Sequence, residues 1–129
     1  LWKRYYALSV AAIKSGAFDA LSHPVRNMIG NPYVPDDVGD LLDTVAESAA
    51  RNGVALELNG EDTHRWPEMV TALAQACGRA GCAVSLGSDA HRPESVAQSL
   101  RTASFIAAEA GVPGVVSFQR RDRRILAFD

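Results

Sequence analysis

Val54-Ala55-Leu56-Glu57-Leu58-Asn59 is the stretch from which the fold is read. It is apolar for most of its length and ends on a hydrogen-bonding side chain. Side chains alternate faces along a strand, so Val54, Leu56 and Leu58 share one face, and Ala55, Glu57 and Asn59 the other. The first set is assigned to the face packed on helices. A parallel strand buried on both faces is normally apolar on both. Glu57 therefore needs a partner or a wet cavity, because an unpaired buried charge is costly. An arginine or lysine partner in the strand layer and a place near a functional site both remain open for it.

Outward from this strand the pattern turns helical on each side. Residues Asp36 to Asn52 read as a helix with Asp36, Asp37 and Asp40 at its positive end and Gly53 as its stop. After a polar loop, Gly60 to Arg65, Pro67 opens a second helix reaching Arg79, with Gly81 beyond it. Further out, Trp2 to Lys14 places Tyr5, Tyr6, Ser9, Val10 and Ile13 three and four apart, a helix with one mainly apolar face. Phe18 to His23 is a short strand closed by Pro24, followed by an irregular loop, Val25 to Pro35. Ala83 to Gly87 is a third strand, Glu94 to Ala110 another helix, and Val115 to Phe128 two strands around the basic turn Arg120 to Arg124.

Helices and strands thus alternate, which implies parallel strands joined by right-handed crossovers. A doubly wound sheet and part of a (β/α) barrel both fit that order. Three strands end on polar groups: His23, then Asn59, then Asp89 with His91. Barrel enzymes build their sites at the carboxyl ends of strands, and open sheets do so at their switch points. The run Ser85-Leu86-Gly87-Ser88-Asp89-Ala90-His91 puts Asp89 and His91 two residues apart at the end of the third strand, so they project to the same side. A carboxylate beside a neutral imidazole suits a divalent transition metal; the bland reading is a solvated turn with His91 capping the next helix. Arg65 and Arg92 each follow a strand end, where a guanidinium can hold a phosphate bidentately. His64, in the polar loop, reads as solvated rather than as a ligand, and the Arg120 to Arg124 turn as a solvated hairpin tip.

The 129 residues suit one domain, 47% hydrophobic and 22% charged, with a formal net charge of -2. That balance argues against a nucleic-acid surface, and no apolar run is long enough to span a bilayer. Cys77 and Cys82 lack metal-knuckle spacing and read as reduced, mostly buried thiols of a cytoplasmic protein. The chain opens at Leu1 inside a helical pattern, which suggests a fragment, a processed chain or sequence upstream.

Phe18-Asp19-Ala20-Leu21-Ser22-His23-Pro24, Ala55-Leu56-Glu57-Leu58-Asn59 and Gly87-Ser88-Asp89-Ala90-His91-Arg92-Pro93 resemble the later motifs of PHP-domain metallophosphoesterases, most closely the histidinol-phosphate phosphatase branch. The Ser-Asp-Ala-His motif is the specific part. The resemblance implies an α/β fold, the C-terminal part of a distorted (β/α)7 TIM-like barrel, carrying two or three divalent ions (zinc, manganese or iron). It implies hydrolysis of a small phosphate monoester by a metal-bound hydroxide. Carried over by position, His23, Asp89 and His91 are the metal ligands, with Asp89 and His91 the catalytic pair. Arg65 falls close to an arginine used on substrate phosphate, and Asn59 and Arg92 join it as substrate-binding residues.

The family also opens with a His-x-His motif, further histidines and a bridging glutamate, and none of these has a match in residues 1–129. A closed metal site takes about four donors, so the chain alone is expected to be incomplete for catalysis. The alternative is a non-catalytic module derived from the same domain, its open edge pairing with a second copy, another subunit or the missing N-terminal half. A role like that of the related domains in bacterial DNA polymerases is disfavoured by the modest charge.

Overall fold

The computed structural model describes residues 1–128. Helix α1 (Trp2–Lys14) leads to a two-residue strand β1 (Ala20–Leu21), and a 3-10 turn (Arg26–Met28) precedes α2 (Val38–Asn52). Strand β2 (Ala55–Asn59), the short helix α3 (Gly60–Arg65) and α4 (Pro67–Ala80) follow. Then come β3 (Val84–Gly87), a 3-10 turn (Pro93–Ser95), α5 (Leu100–Glu109) and the hairpin β4 (Val115–Gln119) with β5 (Asp122–Leu126). No helix of the described residues is long and apolar enough to cross a membrane.

The five strands lie in sequence order, β1 through β4 parallel and β5 antiparallel to β4. With each parallel neighbour next in the chain, same-handed crossovers carry the helices to one face of the sheet. Val54, Leu56, Leu58 and Val84 accordingly form one buried cluster with Tyr6 and Ile13 of α1, Leu42 and Val45 of α2, Leu73 of α4 and Ala103 of α5. The face assigned to Val54, Leu56 and Leu58 from alternation is therefore the helix-covered one.

The second face is covered differently. Ala55, Ala83 and Val116 form a small cluster against Ala20 and Phe118. β4 meets β3 at the pair Val84 and Val115, and the hairpin then turns across the amino-terminal half of this face. Its tip is anchored there: Arg121 Nε and Nη2 donate to the Asp19 carboxylate at 2.7 and 3.1 Å, and Arg123 Nη1 to the Gly53 carbonyl at 2.7 Å. The basic turn expected to be merely solvated is thus tied to the starts of β1 and β2. The carboxyl half of the same face is left for Glu57 and Asn59.

Several boundaries move. The first strand shrinks from Phe18–His23 to Ala20–Leu21, because His23 takes φ 37° ahead of Pro24 and leaves the extended conformation. The expected loop over 60–65 is helix α3, started by the Asn59 side chain, whose carbonyl accepts from the Glu61 and Asp62 N–H groups. The helix expected from Glu94 begins only at Leu100, because Ala97 and Ser99 lie at φ 64° and 56°. β3 stops at Gly87 and Asp89 sits at φ 53°, so strand alternation does not relate Asp89 to His91. Trp2–Lys14 and the ends of α2 and α4 fall where the periodicity and the following glycines put them.

Candidate functional site

The turn after β1, the end of β2 with α3, and the turn after β3 meet at the carboxyl edge of the parallel strands. Arg26 is their common partner. Its Nε donates to Asp62 Oδ1 at 2.6 Å, and its Nη2 to Asn59 Oδ1 at 3.1 Å and to Asp89 Oδ2 at 2.7 Å. Local sequence explains each position. Pro24 and the positive φ of His23 reverse the chain after β1, and Arg26 N–H closes the turn on the His23 carbonyl at 3.0 Å. Asn59 starts α3 and so places Asp62 one turn along it.

Among the described residues Glu57 finds neither an arginine nor a lysine. Its Oε2 accepts from the His23 backbone N–H at 2.8 Å and from Asn59 Nδ2 at 3.2 Å. Gly87, which pairs with Asn59 across β2 and β3, leaves room for the carboxylate, since a Cβ there would collide with Glu57 Oε1. Glu57 thereby fixes both the turn carrying His23 and the amide that caps α3.

The electrostatics follow from burial and Arg26. Asp62 is fully buried and its Oδ2 has no protein partner among the described residues. Burial raises its carboxyl pKa above the usual carboxylate value, outweighing the opposing pull of Arg26. Asp89 is held below its usual value, first by the hydrogen bond from Arg26, with smaller help from His91 and His23. Two carboxylates on one guanidinium are pushed apart in pKa by their surroundings.

Asp89 and His91 remain neighbours through the turn: His91 Nδ1 lies 2.8 Å from the Asp89 carbonyl oxygen, so Nε2 is the ring nitrogen left for another partner. Arg65 and Arg92 are exposed, as is His64 on α3. A cleft of about 390 Å³ opens at this edge, lined by Arg26, Arg65, Asp89, His91 and Arg92, with Gln98 closing one side. Gln98 Nε2 donates to Glu61 Oε2 at 3.1 Å and to the Ser88 carbonyl at 3.2 Å, tying the segment after β3 to α3. The Arg26 Nη1 group makes no hydrogen bond within the described residues, so it keeps donors for a ligand. Three guanidinium groups and an imidazole share the cleft with the Asp89 and Glu61 carboxylates, which pair with Arg26 and Arg65; Arg92 and the unengaged Arg26 donors are the groups left to meet an oxyanion.

Of the residues singled out by sequence, Asp89, His91, Arg65 and Arg92 line this cleft, and Asn59 lies beneath it, 2% exposed, with its side-chain atoms engaged. His23 contributes its backbone N–H to Glu57. Arg26 and Asp62 were missed. Their only sequence signal is a charged residue just past a strand end, the signal that drew attention to Arg65 and Arg92. The imidazoles and Asp89 have the chemistry of transition-metal ligands. Among the described residues, however, no group of three or more His, Cys, Asp or Glu is arranged to hold a metal. The Asp89 carboxylate is engaged by Arg26 instead. Among the described residues these donors do not complete a metal site.

Fold and site together define an α/β layer whose parallel strands deliver an arginine–carboxylate cluster to their carboxyl edge. The chain is homologous over most of its own length to proteins named probable phosphatase. One from Shewanella sp. (strain ANA-3) is 38% identical over 103 residues, covering 77% of this chain and 37% of that protein. Those from Aeromonas hydrophila and Shewanella halifaxensis are 33% and 32% identical over 123 and 126 residues, covering 92% and 95% of this chain and 46% and 47% of theirs. The chain therefore spans less than half the length of these relatives. No family model matches it.

Proposed function

We propose that the protein carrying this chain is a phosphoric monoester hydrolase of the PHP type, with these residues forming one side of its active site. The observation that carries the reading is the cleft at the carboxyl strand edge, lined by Arg26, Arg65, Arg92 and His91 together with Asp89 and Glu61. The phosphatase names of the relatives point the same way. In this reading Arg26 is oriented by Asp62 and Asn59 and turns its free donors to a phosphate. Arg65 and Arg92 add charge at the rim. A consecutive parallel sheet with helices on one face is also what an arc of a (β/α)7 barrel would contain.

His23, Asp89 and His91 would hold divalent ions jointly with donors from elsewhere in the whole protein. Such ions, zinc, manganese or iron, lower the pKa of water and offset charge on phosphate oxygens. A small phosphate ester such as histidinol phosphate is the substrate class, in a cytoplasmic enzyme.

The test is elemental analysis and a phosphomonoesterase assay on the protein that carries this chain. Bound divalent ion is expected, with phosphate release lost on chelation and restored by manganese or zinc. Asp89→Asn and His91→Ala should each lower activity about 100-fold. A protein free of divalent ions and inert toward phosphate esters would overturn the reading in favour of the non-catalytic module.

A further inference from the structure

Helix α4 ends on a reversal in which the Gly81 N–H donates to the Gly78 carbonyl at 3.3 Å and the Cys82 N–H to the Cys77 carbonyl at 2.9 Å, with Gly81 at φ 67°. In a helix end of this form the two residues joined by the outer hydrogen bond also bring their side chains together. Helices α2 and α5 end in the same way, and there the outer bond joins Ala49 to Val54 and Ala107 to Val112. Those positions take small apolar side chains. At the end of α4 they take two thiols, both free and both buried.

Packing asks no more of this pair than alanine and valine supply elsewhere. Two thiols held in contact add chemistry. The hydrogen bond between their backbones keeps the Cα atoms within about 7 Å, the limit beyond which two cysteines cannot be bridged. Each thiol also governs the ionisation of the other. Cys82 and burial push Cys77 up, whereas Cys77 pulls Cys82 down against burial, helped by a backbone hydrogen bond from Leu56 and by the Arg123 guanidinium. That guanidinium is fixed on the Gly53 carbonyl, and Cys82 Sγ donates to the neighbouring Val54 carbonyl at 3.7 Å. The cation and the sulfur thus share the start of β2.

We propose that Cys77 and Cys82 form a modification site, a dithiol that a hydroperoxide oxidises to a disulfide within one chain. Cys82 has the greater thiolate character and reacts first. Its sulfur attacks one peroxide oxygen, the O–O bond breaks, the thiol proton leaves with the departing hydroxide as water, and Cys82 becomes a sulfenic acid. The Cys77 sulfur then attacks Cys82. The S–S bond forms, the S–O bond breaks, and the leaving hydroxide takes the Cys77 proton as a second water. The thiols lose two electrons and the peroxide gains them. Arg79 and Gly81, between the cysteines, are exposed, so fraying of this last turn is the opening that admits peroxide. The pair stands at the amino end of β3, away from the cleft, and the proposal is independent of the phosphatase reading.

Peptide mapping tests this, because Arg79 lies between the two cysteines. Trypsin releases residues 66–79 and 80–101, the bond before Pro93 resisting cleavage, with one cysteine in each peptide. The protein that carries this chain is treated with hydrogen peroxide while folded, then denatured with iodoacetamide to block remaining thiols, digested and weighed. The two peptides are expected to be joined, two hydrogen atoms lighter than their sum, and to be separated by dithiothreitol. Cys77→Ala and Cys82→Val place at each position the residue that α2 and α5 carry there, so both variants should fold. With dimedone present, Cys77→Ala should carry the sulfenic-acid adduct on Cys82, and Cys82→Val should leave Cys77 unlabelled. Recovery of both peptides separate and alkylated after peroxide overturns the proposal. So does joining of either cysteine to a third one elsewhere in the protein, or joining of the pair only when peroxide is added after denaturation.

Discussion

Arg26 joins three segments that are distant in sequence, and its loss removes more than a surface charge. Asp62 is fully buried and would keep a carboxylate with no cation beside it. Truncating one member of a buried pair is costly for this reason, whereas the intact pair adds little over an apolar isostere. Arg26→Ala should therefore destabilise by about 2–4 kcal/mol in urea unfolding. Arg26→Lys should recover only part of that, since an ammonium cannot reach Asp62, Asn59 and Asp89 together. The two carboxylates also predict opposite pH effects. The folded pKa of Asp89 is depressed, so its stabilisation is present above the unfolded value of about 3.9 and lost as pH falls through the folded pKa. That of Asp62 is raised, so its contribution is complete below about 3.9 and fades as pH rises through the folded pKa. Urea midpoints across the acid range should show the advantage of the unaltered protein over Asp89→Asn growing with pH, and its advantage over Asp62→Asn shrinking.

At the level of elements, α3 decides how the site is assembled. It is only six residues long, Gly60–Arg65, too short to be stable by itself, and depends on its cap and on packing. The Asn59 side chain supplies the cap and also joins Glu57 to Arg26. Asn59→Ala should therefore cost more than an ordinary cap, about 2–3 kcal/mol by chemical denaturation. Asn59→Asp, which keeps the accepting oxygens but sets a carboxylate against Glu57, should lose less of the helix and more of the site. Sequence reading could not find this helix. Gly60-Glu61-Asp62-Thr63-His64-Arg65 has no apolar periodicity and reads as loop. What makes it helical is the cap, together with burial of Asp62 and Thr63 against the rest of the molecule. The displaced start of α5 has a similar origin, since Glu94 to Ser99 carries no glycine to announce positive φ at Ala97 and Ser99.

For the whole molecule, one sheet face is covered by four helices and the other only partly, by the β4–β5 hairpin. Phe18, Ile29 and Tyr33 stay exposed at 55%, 55% and 71%, and β1 has no further partner among the described residues. Open edges and scattered apolar groups of this kind favour association. The 129-residue chain by itself should sediment above its monomer mass of 13.8 kDa, increasingly so with concentration. Strictly monomeric behaviour at high concentration would show that the hairpin and the charged strand Asp122–Leu126 protect the edges sufficiently.

By itself the sequence determined the alternation of helices and strands, the face of β2 turned to the helices, and the strand edge that carries the polar groups. These depend on local periodicity and on stop residues such as Gly53 and Gly81, which act within a few positions of where they stand. Only the tertiary structure decided that Arg26, Asn59, Asp62 and Asp89 share one cluster, and that Glu57 is satisfied by a backbone N–H rather than a cation. Those are contacts between segments that meet because parallel strands bring successive carboxyl ends to one edge. Which side chains then pair there is set by burial and hydrogen-bond geometry across the gap, for which spacing along the chain has no measure.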